Sequence, residues 1–254
     1  MHFRSVFSAR PLLGAASLAF SIAAQAGTTL DAVGAGWFTN AGEHVEFNAN
    51  YAAGGGMDGY TRNDYFLFDV SGLGNQVTAA TLRIYNPNAP LTLGQPFGYT
   101  SSDPTENYAL FDVSTDFYST PTGGANHVAG YAIGSAAGQA VYSDLGTGQS
   151  YGSHTATLAD NGRFVEISLN ATGLADLNAS GGIFAIGGSI TTLDGLVNME
   201  SLFASAYLYT SNGAAQLVVS SVPEPGESVL FLAGIGLLVA TGRWKRYPED
   251  RILS

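Results

Sequence analysis

Apolar and polar residues alternate with a period of two over several short stretches of this chain. From Ala80 to Tyr85, Ala80, Leu82 and Ile84 point one way while Thr81, Arg83 and Tyr85 point the other. That is the pattern of a strand with one buried face. Arg163–Leu169 repeats it, with Val165, Ile167 and Leu169 inward. Asn63–Val70 is more continuously apolar, which predicts a central strand. Gly182–Ile190, Ser201–Thr210 and Gln216–Ser220 complete the predicted strands. Turn chemistry separates them at Ser71-Gly72, Asn86-Pro87, Asp160-Asn161-Gly162 and Ser211-Asn212-Gly213. Only Ala171–Ala179 reads as a short helix, with Thr172 as its expected cap and Leu174 and Leu177 at helical spacing. Many short strands between polar turns predict an all-β domain, a single sandwich or jelly-roll-like unit over residues 27–221.

The two ends follow a different pattern. Arg4 and Arg10 precede the apolar run Leu12–Ala23, and Ala24-Gln25-Ala26 supplies small residues at the spacing of a cleavage site. Residues 1–26 therefore read as a secretory signal peptide. At the other end Val222-Pro223-Glu224-Pro225 is followed by the apolar run Val229–Ala240 and by Arg243, Trp244, Lys245 and Arg246. A helix over about 227–242 would span roughly 25 Å, short of the ~30 Å of a hydrocarbon core. It is a marginal span, and its basic stop of Arg243, Lys245 and Arg246 places that end in the cytoplasm. Tyr247–Ser254 then forms a cytoplasmic tail, and residues 27–221 face outward.

These C-terminal residues resemble the PEP-CTERM sorting domain of exported proteins of Gram-negative bacteria, over residues 222–246. The resemblance implies recognition of Pro223, Glu224 and Pro225 by an exosortase-type membrane transpeptidase. It also implies transient anchoring in the inner membrane with the domain in the periplasm, followed by delivery to the cell surface or an exopolysaccharide matrix. Within the domain, Tyr65–Tyr85 (YFLFDVSGLGNQVTAATLRIY) resembles the opening half of the disaggregatase-related (DNRLRE) carbohydrate-binding jelly rolls. Those modules pair an aromatic strand ending in Asp with an Ala-Thr-Leu-Arg strand.

Charge narrows the partners. Between residues 27 and 221, three arginines and no lysine face sixteen aspartates and glutamates, a net charge of −13. Nucleic acid and anionic lipid surfaces are poor partners for such a domain. The chain has no cysteine, so an exported fold must rely on packing rather than disulfides.

Candidate chemistry is sparse. Gly148-Gln149-Ser150-Tyr151-Gly152 matches the G-x-S-x-G nucleophile elbow, but Ser153–Leu158 after it reads as β structure where the elbow needs a helix. His44, His127 and His154 show no paired ligand spacing, so they read as surface or loop residues and zinc is not expected. Asp58–Asp64 and Asp160–Gly162 offer oxygen ligands to a structural calcium, although such residues more often shape turns. Trp37 and the tyrosines could form a sugar-stacking face, against the default that strand aromatics pack in the core. Phe68-Asp69-Val70-Ser71 recurs as Phe111-Asp112-Val113-Ser114, which predicts two strands ending in similar Asp-x-Ser turns. The expectation is a surface or matrix protein with no catalytic residue, no assigned metal ligand and no cofactor beyond such a calcium. Its role would be structural or adhesive in exopolysaccharide. A carbohydrate-binding module is the alternative, and a hydrolase comes third.

Overall fold

Strands account for most of the regular structure, and nearly all of them pair in two antiparallel sheets. The structure, a computed structural model, describes residues 26–221 apart from 47, 49, 57, 75, 93–94, 119–127, 195–199 and 204–213. The expected signal peptide up to Gln25, the sorting segment, its basic stop and tail, His127 and most of the strand expected at Ser201–Thr210 lie outside the described residues.

In chain order the first strands are β1 Ala26–Asp31, β2 Gly34–Thr39, β3 Ala53–Gly55, β4 Thr61–Asp69 and β5 Val77–Asn86. They are followed by β6 Ala89–Thr92, β7 Gln95–Phe97 and β8 Glu106–Phe111. After helix α1, Ala136–Leu145, come β9 Ser150–Ala156 and β10 Arg163–Ser168. Helix α2, Ala171–Ala179, leads to β11 Ile183–Ile190, β12 Ser201–Leu202 and β13 Ala215–Ser221. One sheet has four strands in the order β1-β13-β5-β10. The other has seven, in the order β12-β3-β4-β11-β8-β9 with β2 also paired to β4. β6 and β7 form a separate hairpin.

The expected inward residues of β5 and β10 all point into the core. Ala80, Leu82, Ile84, Val165 and Ile167 are buried together with Leu217 and Val219 of β13. They pack in one cluster with Phe66, Phe68, Tyr108, Leu110, Phe184 and Ile186 from the larger sheet. Burying each large aliphatic or aromatic side chain here contributes roughly 1.5–3 kcal/mol. The polar halves of the alternation form a row across the outer face of the smaller sheet. Arg83 donates to Glu166 at 2.9 Å and to Gln216 at 3.0 Å, and Gln216 donates to Asp31 at 3.0 Å.

β4 is central in the larger sheet, as expected, and it is buried on both faces. Phe66 and Phe68 face the inter-sheet core, whereas Tyr65 and Leu67 face a second cluster with Val141 and Leu145 of α1. That helix was not among the predicted elements. Ser135 caps it, accepting from the Gly138 backbone, and Gly138, Val141 and Leu145 lie on its buried side. The apolar stripe is thin and includes a glycine, so the segment carries little periodic signal. α2 matches its predicted bounds, but the cap is Asn170 and not Thr172. The Asn170 side chain accepts from the backbones of Thr172 and Gly173. β1, β2 and β3 were also unmarked, because Gly and Thr dilute their alternation. Pairing with β13 and β4 defines them.

The two similar Asp-Ser segments both end strands, but only the first forms the expected turn. Ser71 bonds Asp69 through its hydroxyl at 2.6 Å and its backbone at 3.0 Å. In the second, Asp112 accepts from the Gln149 backbone and Ser114 donates to Asp144.

Gly187 and Gly188 on β11 allow two close approaches. A Cβ on Gly187 would lie 2.6 Å from the Leu145 carbonyl at the end of α1, and one on Gly188 would lie 1.8 Å from the Tyr108 hydroxyl. That hydroxyl donates to Asp64 Oδ1 at 2.6 Å, inside the core. Burial pushes the Asp64 carboxyl well above the usual carboxylate range, with the Tyr108 bond acting in the opposite sense. Among the described residues no helix is long and apolar enough to cross a membrane.

Candidate functional site

A groove of about 370 Å³ opens where β2, β3 and the start of β4 meet. Its size is within the range of small-ligand sites. Trp37 from β2 and Gly54 and Gly55 from β3 line it, with Val45, Asn48 and Asn50 on the intervening segment. Asp58 and Arg62 complete one side. Arg62 forms an ion pair with Asp58, and its guanidinium carbon lies 4.8 Å from the centre of the Trp37 ring. The exposed part of the ring face is therefore small, and Trp37 is only 8 % exposed.

The groove lining mixes polar and apolar groups in near-equal measure. Glu43 and Asp58 carry acceptors, Arg62 carries donors, and Asn48 and Asn50 carry both. The Asn50 side-chain oxygen is buried and has no hydrogen-bond partner. This mixture of short amides, carboxylates, one guanidinium and an aromatic edge suits hydroxyl-rich ligands.

Gly54 shapes the back wall. Its φ is +107°, and a Cβ there would lie 2.1 Å from the Glu200 carbonyl oxygen. That same carbonyl accepts from the Gly55 backbone at 2.6 Å. The following residue, Ser201, pairs with Gly54 and also bridges to Thr100 through two backbone hydrogen bonds. The Thr100 bridge carries the Glu200 side chain toward the turn before β8.

There the Glu200 carboxyl joins Asp103 and Glu106, and one oxygen from each lies within 4.8 Å of the others. Glu200 and Glu106 are buried, while Asp103 is exposed. Glu106 accepts from the hydroxyls of Ser101, at 2.7 Å, and Thr192. Glu200 Oε2 accepts from the Asp194 backbone at 3.1 Å, whereas its buried Oε1 has no partner. Burial, reinforced by Asp194 and the Glu106 charge, pushes the Glu200 carboxyl up to about 7.

None of these three acids was singled out in the sequence. Asp103 and Glu106 are close in the chain, but Glu200 is distant, and the bridge from Ser201 to Thr100 helps bring it in. The spacing Asp103-Pro-Thr-Glu106 was the one local signal, and it is too common to identify a site.

The residues that were singled out lie elsewhere. Ser150 opens β9 and is followed by strand, so the strand-turn-helix geometry of a nucleophile elbow is not met. His44 is not a surface residue. It is buried, stacked on Phe38 with ring centroids 4.7 Å apart, and its Nδ1 lies 2.8 Å from the Trp37 carbonyl. Burial lowers its pKa from the ordinary histidine value. His154 is half-buried, 3.3 Å from Asp160.

The two acidic loops read as calcium candidates do not assemble. Asp58 pairs with Arg62 at the surface while Asp64 points into the core. Asp160 is used in a capping box with Thr157, and the Asn161 side chain spans Asn86 and Tyr99. Tyr51, Tyr65, Tyr99, Tyr108 and Tyr151 are all buried, so these five serve as core and not as a sugar-stacking face. Among the candidate aromatics Trp37 lines the groove. No protein-family model and no curated protein matches this chain.

Proposed function

We propose that this chain is an exported, non-catalytic surface or matrix protein whose β-domain adheres to extracellular polysaccharide through the Trp37–Arg62 groove. The observation that carries the ligand class is the mixed lining of that groove, in which Trp37 and Val45 stand beside Glu43, Asn48, Asn50, Asp58 and Arg62. The −13 net charge of residues 27–221 argues against nucleic acid and acidic lipid surfaces as partners. A jelly-roll-like topology is supported by the chain's repeated passage between sheets, from β4 to β5, from β9 to β10 and from β10 to β11.

The delivery route rests on the sequence of the two ends. Residues 1–26, with Ala24 and Ala26 at the cut, direct export. Val222, Pro223, Glu224 and Pro225 direct recognition by an exosortase-type transpeptidase, and Arg243, Lys245 and Arg246 hold the transient membrane span. β1 starts at Ala26 and β13 ends at Ser221, and these two residues are register partners. Both addressing segments therefore leave the domain from one end of one sheet.

Affinity electrophoresis through gels containing neutral or acidic polysaccharides tests the binding role. Retardation by at least one polysaccharide is expected, and Asn50→Ala together with Arg62→Ala should abolish it. Mobility that no polysaccharide changes would refute adhesion through the groove. For delivery, replacing Pro223-Glu224-Pro225 with alanines should leave full-length protein in the inner membrane. Normal processing and release of that variant would refute the sorting role.

A further inference from the structure

The Asp103, Glu106 and Glu200 cluster has more negative charge than the protein around it can neutralise. The domain contains three cationic side chains besides histidine, and none of them serves this cluster. Arg62 is held by Asp58 and Trp37, Arg83 is held by Glu166 and Gln216, and Arg163 is exposed at the start of β10. Burying a carboxylate without a counter-charge costs several kcal/mol. Two of these carboxylates are buried, and one of their oxygens has no hydrogen-bond donor at all.

The ligand set is all oxygen and carries three formal negative charges when ionised, which selects a hard divalent cation. The oxygens come from separate parts of the chain: a turn, the first residue of β8 and the residue before β12. Such an irregular shell suits calcium, which accepts six to eight oxygens in flexible geometry, better than magnesium, which demands a regular octahedron. Water can fill the open side, because Asp103 is exposed.

We infer that Asp103, Glu106 and Glu200 form a calcium site that ties the turn before β8 to the β12 end of the larger sheet. Glu200 gives the site its unpartnered Oε1, and Glu106 sits beside it held by Ser101 and Thr192. The Glu200 backbone carbonyl meanwhile holds Gly55 at the back of the groove. An ion on the carboxylate therefore also braces that wall. The site stands independently of whether the groove binds polysaccharide.

The test uses the full chain in detergent, stripped with EGTA and titrated with CaCl₂ and separately with MgCl₂. Calorimetry should show one calcium site with weaker magnesium binding. At a hundredfold excess over Kd the unfolding midpoint should rise by about 5–10 °C. Asp103→Asn, at an exposed position, should weaken calcium binding by on the order of tenfold or more without lowering the calcium-free midpoint. Glu200→Gln should abolish the calcium response and raise the calcium-free midpoint at pH 8, since it removes a buried charge. A midpoint unmoved by millimolar calcium would overturn the site. So would calcium binding by Glu200→Gln at wild-type affinity.

Discussion

Tyr108→Phe gives the most direct measure of how the core tolerates its buried acid. Tyr108 and Asp64 are both fully buried, and the 2.6 Å bond from the Tyr108 hydroxyl is the side-chain donor to Asp64 Oδ1. Asp64 Oδ2 has no partner. The substitution keeps the ring, which packs edge-on against Phe203 with centroids 4.9 Å apart. It therefore removes one hydrogen bond and little packing. Leaving the acid without that donor should cost about 2–3 kcal/mol, at the upper end for a neutral acceptor because a carboxyl group is involved. For a domain of this size the midpoint should fall by roughly 4–12 °C.

The pH dependence has a definite sign. Burial raises the folded-state pKa of Asp64 above its ordinary 3.8, so the folded chain holds the proton more tightly than the unfolded chain. The Asp64 contribution is fully favourable below about pH 4 and is lost progressively as pH rises above it. Urea unfolding at pH 4.5, 6 and 8 in EGTA measures both effects through the transition midpoint, provided the m-value is unchanged. Asp64→Asn should weaken the decline in stability with rising pH. A loss below 0.5 kcal/mol in Tyr108→Phe at every pH, or an unaltered pH slope in Asp64→Asn, would refute this account of the pair.

Gly54→Ala should destabilise by about 2–4 kcal/mol, since φ is +107° and the added Cβ would lie 2.1 Å from the Glu200 carbonyl; thermal unfolding reads the loss. Asn170→Ala should cost about 1–2 kcal/mol in urea, because the side chain caps α2 and its amide also donates to the Ser150 carbonyl at 2.6 Å. Asn170→Asp keeps the cap and should recover part of that loss. Ser150→Ala should change neither stability nor ester turnover, and loss of an esterase activity in that variant would reinstate the nucleophile reading.

The strand pattern was legible wherever one physical cause dominated. Ala80, Leu82, Ile84, Val165 and Ile167 alternate because one face meets the core, and all five are buried as read. The unbroken apolar run in β4 reflects burial on both faces, with the opposite sheet on one side and α1 on the other. α1 itself was not legible, since a capped helix with a thin apolar stripe needs the Tyr65 and Leu67 surface to stabilise it. β1 and β2 owe their strand state to partners distant in sequence, and β3 is held between its hairpin partner β4 and the distant β12; local propensity does not encode distant pairing.

The candidate site was less visible still. Trp37 could be noticed as a rare aromatic, but its neighbours Asn50 and Arg62 become a groove only when β2, β3 and β4 pair. The acidic loops that looked like cation sites were diverted, Asp58 by Arg62 and Asp64 by the core.

By itself the sequence determined the predominantly β character of the domain, its negative charge and its lack of disulfides. Those properties follow from composition and short-range periodicity, which are local. Only the tertiary structure decided where the charges meet. Glu200 and Glu106 are separated by more than ninety residues, and the backbone bridge between Thr100 and Ser201 sets them side by side, because hydrogen-bonded strand pairing joins positions that no local pattern relates.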